Sequence, residues 1–137
     1  MSARQDLAAR IERIEAGYEY LLAYAAQGRQ DDAGSDVRRT LTEMSTALDG
    51  LGDLVARGIE GTSAGASMDS TAFLEAVSRD ARIAHGAVGL VLSRAAISSL
   101  LVDNLNASIH LRALLTDLFL VDQALKAPSH TERGTNA

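Results

Sequence analysis

Residues 37–55 read VRRTLTEMSTALDGLGDLV, and the spacing of their apolar side chains decides the fold class. Val37, Leu41, Met44, Leu48, Leu51 and Val55 recur in alternating steps of four and three, which places all six on one side of an α-helix. Arg38, Arg39, Thr42, Glu43, Thr46, Asp49, Asp53 and Arg57 fill the other side. A half-buried strand would alternate in steps of two. The stretch therefore predicts a helix over about 35–58 with one dry face and one wet face, stopped at Gly58 or Gly61.

The same rhythm runs outward in both directions. Leu7, Ile11, Ile14, Tyr18, Leu21 and Ala25 predict a helix over 2–27, with Ser2 as its cap and Gly28 as its stop. Gly28 to Ser35 reads as a polar turn. The Gly- and Ser-rich segment 58–68 reads as a loop. Leu74, Val77, Ala81, Ala84, Val88, Val91 and Ala95 predict a third helix beginning near Asp69 or Ser70.

The fourth stripe is Ile97, Leu100, Asn104, Ala107, Leu111, Leu114, Leu118, Val121 and Leu125. The step from Ala95 to Ile97 is only two residues, so the third and fourth stripes cannot share one face. Two breaks fit: helices over 69–95 and 97–126, or over 69–103 and 105–126 with Asn104 or Asn106 as the cap. In the second case Asn104 is a cap residue; in the first it is a polar residue inside the apolar seam. The expected fold is all-α, an antiparallel up-down-up-down four-helix bundle over residues 1–126 with no β-sheet. Pro128 and the polar residues after it predict a disordered tail over 127–137.

Composition agrees with a helical domain. The 137 residues are 47% apolar but only 4% aromatic, with a single proline, whereas sheets favour aromatic and β-branched residues. The net charge is −5 and the thirteen Lys and Arg residues are scattered, without the basic stripe a nucleic-acid binder needs. No cysteine is present, which excludes disulfides, thiolate catalysis and Cys-ligated metals. The most lipid-like window, 83–102, is interrupted by His85 and Arg94, so neither a membrane span nor a secretion signal is expected and the location is read as cytoplasmic.

Chemistry-bearing patterns are few. Arg82-Ile83-Ala84-His85-Gly86-Ala87-Val88-Gly89 resembles the histidine-phosphotransfer domains, helical bundles whose exposed histidine accepts a phosphoryl group from a response regulator. The resemblance implies that His85 is the acceptor, that Gly89 clears space beside its ring, and that Arg79 or Arg82 balances phosphate charge. Val88 stands where that family usually carries a lysine. The structural alternative is that Gly86 and Gly89 let a neighbouring helix approach closely.

Asp103, His110 and Asp117 recur every seven residues and share a helical face, but the Glu-x-x-His pairs of carboxylate-bridged metal bundles are missing. No metal site or cofactor is expected. Nor does any serine sit in a nucleophile motif.

Two segments carry more apolar surface than one stripe requires. Leu101, Leu105, Leu115 and Phe119 form a second seam in the last helix, interrupted by Ser108 and Arg112. Tyr20, Leu22 and Tyr24 lie beside the first stripe, and the tyrosines offer a second use as the lining of a ligand pocket. Contiguous exposed apolar side chains mark interfaces. The expectation is a non-enzymatic interaction or regulatory protein that meets a protein partner or itself, a homodimer being favoured. Leu101, Leu105, Arg112, Leu115, Phe119, Tyr20 and Tyr24 are the candidate contact residues. The alternatives are the phosphotransfer bundle using His85 and a bundle that binds a small molecule or metal.

Overall fold

A computed structural model describes residues 2–62 and 70–126; most of the expected 58–68 loop and the expected disordered tail, 127–137, lie outside the described residues. Among the described residues all regular structure is helical: α1 (Ala3–Ala25), α2 (Val37–Leu48), α3 (Leu51–Ile59), α4 (Ser70–Leu92), α5 (Ser99–Asn106) and α6 (Ile109–Lys126). None of these helices is long and apolar enough to cross a membrane.

Helix α1 starts where its sequence dictates. The Ser2 hydroxyl accepts the Gln5 amide at 3.1 Å, and the Gln5 side chain accepts the Ser2 amide at 2.9 Å, which occupies two of the donors a helix start leaves open. Gly28, at φ +66°, turns the chain just beyond the helix end. Leu7, Ile11, Ile14, Leu21 and Tyr24 are buried along one side.

The helix expected over 35–58 is two helices. Asp49 leaves the helical conformation (ψ 123°) and Gly50 follows at φ +66°, so the hydrogen-bond ladder ends at Leu48 and restarts at Leu51. The apolar rhythm survives this break: Leu48, Leu51, Leu54 and Val55 are all buried. Periodicity reports which side is dry, not whether the ladder is continuous.

The last stripe also needs correction. Helix α4 ends at Leu92, and α5 is separated from α6 by Ala107 and Ser108. Ser98 caps α5 by accepting the Leu101 amide at 3.1 Å. Because α5 is a separate helix with its own orientation, the register extrapolated back from Leu111 fails there. Leu100, Asn104 and Ala107 are exposed, while Ser99, Val102, Leu105 and Asn106 are buried. Asn104 is thus neither a seam residue nor a cap; Asn106 is the buried amide, donating to Leu21 O at 3.1 Å.

Helices α1 and α4 each pack against α2 or α3 on one side and against α5 or α6 on the other. Leu7, Leu41, Leu54, Val88, Ile97 and Leu114, each 0–1% exposed, come from every part of the chain and meet in one cluster. Two glycines permit the closest approaches. A Cβ on Gly52 would stand 2.8 Å from Ser78 Cα, and one on Gly17 would stand 2.5 Å from Met44 Cγ, so Gly52 lets α3 approach the α4 backbone and Gly17 leaves room for the Met44 side chain.

One end of the molecule is tied by polar groups. The 26–36 connection and the 93–98 turn meet there. Ser99 N donates to Arg29 O at 2.9 Å, and the Asp32 carboxylate accepts Ile97 N at 2.9 Å and Arg38 Nε at 3.2 Å. Arg38 also donates to Leu92 O and Arg94 O, both at 3.0 Å. The turn after α4 therefore adds hydrogen bonds from the other hairpin to those that Ser93 and Arg94 make back to Leu90 and Val91.

Candidate functional site

Helix α6 buries Leu111, Leu114, Leu118 and Val121 and turns its remaining faces outward. Ile109 is 74% exposed, Phe119 57% and Leu120 55%. Leu115 is half-buried and Arg112 exposed. Beside this face runs α1. The guanidinium of Arg4 donates to Leu125 O at 3.0 Å, and Asn106 of α5 reaches Leu21, so the start of α1 lies by the end of α6 and the end of α1 by α5. The outward side of α1 here carries Glu12, Glu15 and Glu19, all exposed, with Leu22 47% exposed beyond them.

The candidate contact residues divide. Leu115, Phe119 and Arg112 lie on this outward face; Leu101 and Tyr20 are half-buried. Leu105 and Tyr24 are corrections. Leu105 faces the core from α5. Tyr24 is 0% exposed, its hydroxyl 2.6 Å from Ile97 O, with the Tyr20 ring stacked at 6.4 Å and the Arg29 guanidinium 5.6 Å from its centroid. An apolar body with its hydroxyl satisfied inside the chain is packing, available neither to a partner nor to a ligand. Ile109 was missed because it belongs to neither of the two apolar seams read in the last helix.

His85 sits at the seam between α4 and α2, half-buried, with Nε2 3.2 Å from Ser45 Oγ. Arg82 and Gly89, seven residues apart, are exposed on α4 next to it. A Cβ on Gly86 or Gly89 would meet nothing within 4 Å, so these glycines do not serve close helix packing; they face open space.

Behind the face lies a polar seam. His110 Nδ1 of α6 is 3.4 Å from Asp80 Oδ1 of α4. Asp117, one heptad further along α6, faces the same Asp80, and its buried Oδ2 has no hydrogen-bond partner. Burial, and then the Asp80 carboxylate close beside it, push Asp117 up to about 6. Two carboxyl groups this close cannot both ionise cheaply. The face-sharing trio of the sequence is thus rearranged: Asp103 stays exposed on α5 and Asp80 takes its place. Among the described residues no three His, Asp or Glu side chains are arranged to hold a metal ion.

An open groove between α1 and α2 is lined by Ala9, Arg13, Gly17, Tyr20, Thr40 and Glu43. No protein-family model, curated protein or solved structure matches the chain.

Proposed function

We propose that the protein is a non-enzymatic interaction module, four helical columns (α1, α2 with α3, α4, and α5 with α6) in an antiparallel bundle, and that it works by docking the outward face of α6 on another protein molecule. One observation carries this reading: Ile109 is about three-quarters exposed and Phe119 just over half exposed on a helix whose opposite side already fills the core. Each large apolar side chain left in water forgoes about 1.5–3 kcal/mol, which association recovers. A cytoplasmic setting suits such a module.

The test is the double variant Ile109→Glu/Phe119→Glu in the full chain. It is expected to keep the wild-type helical signal and melting behaviour while losing self-association and any protein that co-purifies from the native host. Unfolding of the variant would assign the face to the core. An unchanged set of associations would remove the docking reading.

A further inference from the structure

Seen together, the exposed sides of α1 and α6 form two unlike stripes lying side by side. The α1 stripe is acidic with small residues: Ala8, Glu12, Glu15 and Glu19, then Leu22. The α6 stripe is apolar with one cation: Ile109, Arg112, Leu115 and Phe119. None of Glu12, Glu15, Glu19 and Arg112 makes an ion pair within 4 Å among the described residues; the nearby Lys126 is tied to Asp122 at 2.9 Å and feels Glu15 and Glu12 only through space. The acidic balance is a property of the first half. Residues 2–62 carry eleven Asp and Glu against seven Arg, whereas residues 70–126 carry five of each sign. Within the second group Asp80, Asp117 and Asp122 are half-buried and Asp122 holds Lys126, so among the described residues Arg112 is the cation that α6 leaves unpaired on its outward side.

A surface of two adjacent complementary stripes is complementary to itself. We propose that a second copy of this chain occupies the face, related by a two-fold axis running parallel to α1 and α6, so that α1 of each copy lies over α6 of the other. The inference rests on the reading of the α6 face as a docking surface and names its occupant. Rotation about such an axis preserves height along the helices, and the heights are known. The groove between α1 and α6 is lined by Leu7, Ala8 and Ile11 from one side and by Asp122, Leu125 and Lys126 from the other, with Leu21 level with Asn106.

Counting along both helices from these markers sets Arg112 between Glu15 and Glu19 of the second copy. Ile109 falls against its Leu22, and Phe119 lies on the stretch from Ala8 to Glu12, where small side chains leave room for a ring. Each contact occurs twice. Pairing α6 with α6 instead would set Arg112 beside its own kind and leave the three glutamates unused. The eighteen residues of α6 span about 27 Å. Two such helices per copy bury roughly 1,000 Å² in total, at the small end of specific interfaces, which implies a reversible, concentration-dependent dimer.

Sedimentation equilibrium of the full chain tests this, with helical content followed alongside. The wild type is expected to shift with concentration from 14.4 kDa towards twice that mass. Arg112→Glu alone, and Glu15→Arg/Glu19→Arg alone, each place like charges at both contacts and are expected to weaken the dimer by about tenfold or more. An equimolar mixture of these two proteins puts opposite charges at both contacts again and is expected to dimerise. A mixture that stays monomeric, or a dimer indifferent to both charge reversals, overturns the arrangement. A wild type monomeric at every concentration overturns the choice of occupant. The docking reading itself would still stand if a co-purifying protein were lost in Ile109→Glu/Phe119→Glu.

Discussion

The Tyr24 hydroxyl lies 2.6 Å from the carbonyl oxygen of Ile97, joining the end of α1 to the turn that follows α4. A second, longer acceptor is Asp31 O at 3.2 Å. Beneath it Ser99 Oγ donates to Tyr24 O at 2.7 Å and accepts Arg29 N at 2.8 Å. These groups are buried, so a lost donor leaves a carbonyl without water to replace it. Tyr24→Phe is expected to cost about 1–2 kcal/mol, and Ser99→Ala a similar amount. Urea unfolding should show a lower midpoint at unchanged slope. A neutral Tyr24→Phe would mean that the turn is held by packing alone.

Glycines that look alike in the sequence should respond oppositely. At Gly52 a methyl group would press on the Ser78 backbone, which cannot move aside as a side chain can. Gly52→Ala is expected to destabilise by about 1–3 kcal/mol, the usual cost of overpacking. Gly86 lies inside α4 and Gly89 in its last turn, both with open space beside them. Gly86→Ala and Gly89→Ala should each stabilise by about 0.5–1 kcal/mol, because alanine loses less backbone freedom on folding. Melting temperatures of the three variants decide the matter. Destabilisation by both Gly86→Ala and Gly89→Ala would show that this side of α4 is covered in solution.

The rhythm of Leu7, Leu41 and Leu114 was sufficient for the helical class, because a period of three and four residues has no other low-energy backbone. The break at Gly50 was not legible: the apolar residues on its two sides keep a common rhythm, so only the backbone conformation reveals it. The α5 register failed for the converse reason. Ser108 breaks the helix without a glycine or proline, and extrapolation through it turned Leu100 inward. Half of the candidate site was visible as surplus apolar residues in the last helix. The Asp80–Asp117 pair was not, since its members are 37 positions apart and meet only once α4 and α6 are side by side.

Asp32 sets the acid limit of the polar end. The Ile97 amide and then Arg38 hold its carboxyl below the usual carboxylate value. A lowered folded-state pKa gives stability that is present above the unfolded value, near 3.9, and is lost as pH falls through the folded value. Asp32→Asn is expected to flatten the acid limb of the stability profile below about pH 4 while shifting the neutral value downward. An acid limb unchanged by the substitution would assign acid lability to other carboxyl groups.

Asp117 acts in the opposite sense. Its folded-state value of about 6 lies above the ordinary carboxylate value near 3.9, so the folded chain holds this proton more tightly than the unfolded one. The stability it lends is complete below about pH 4 and disappears as pH rises through 6, where the α4–α6 seam must hold a second negative charge beside Asp80. His110, next to Asp80, offsets that charge only when protonated. The side chain is partly exposed, so solvent reduces the full effect of the shift to about 1 kcal/mol. Asp117→Asn keeps the shape and removes the charge. It is therefore expected to be more stable than the wild type by about 1 kcal/mol at pH 8 and equal to it at pH 4. Paired denaturation curves at the two pH values give the answer. A variant less stable than the wild type at pH 8 would show that the ionised carboxylate is a favourable partner in the seam rather than a strained one.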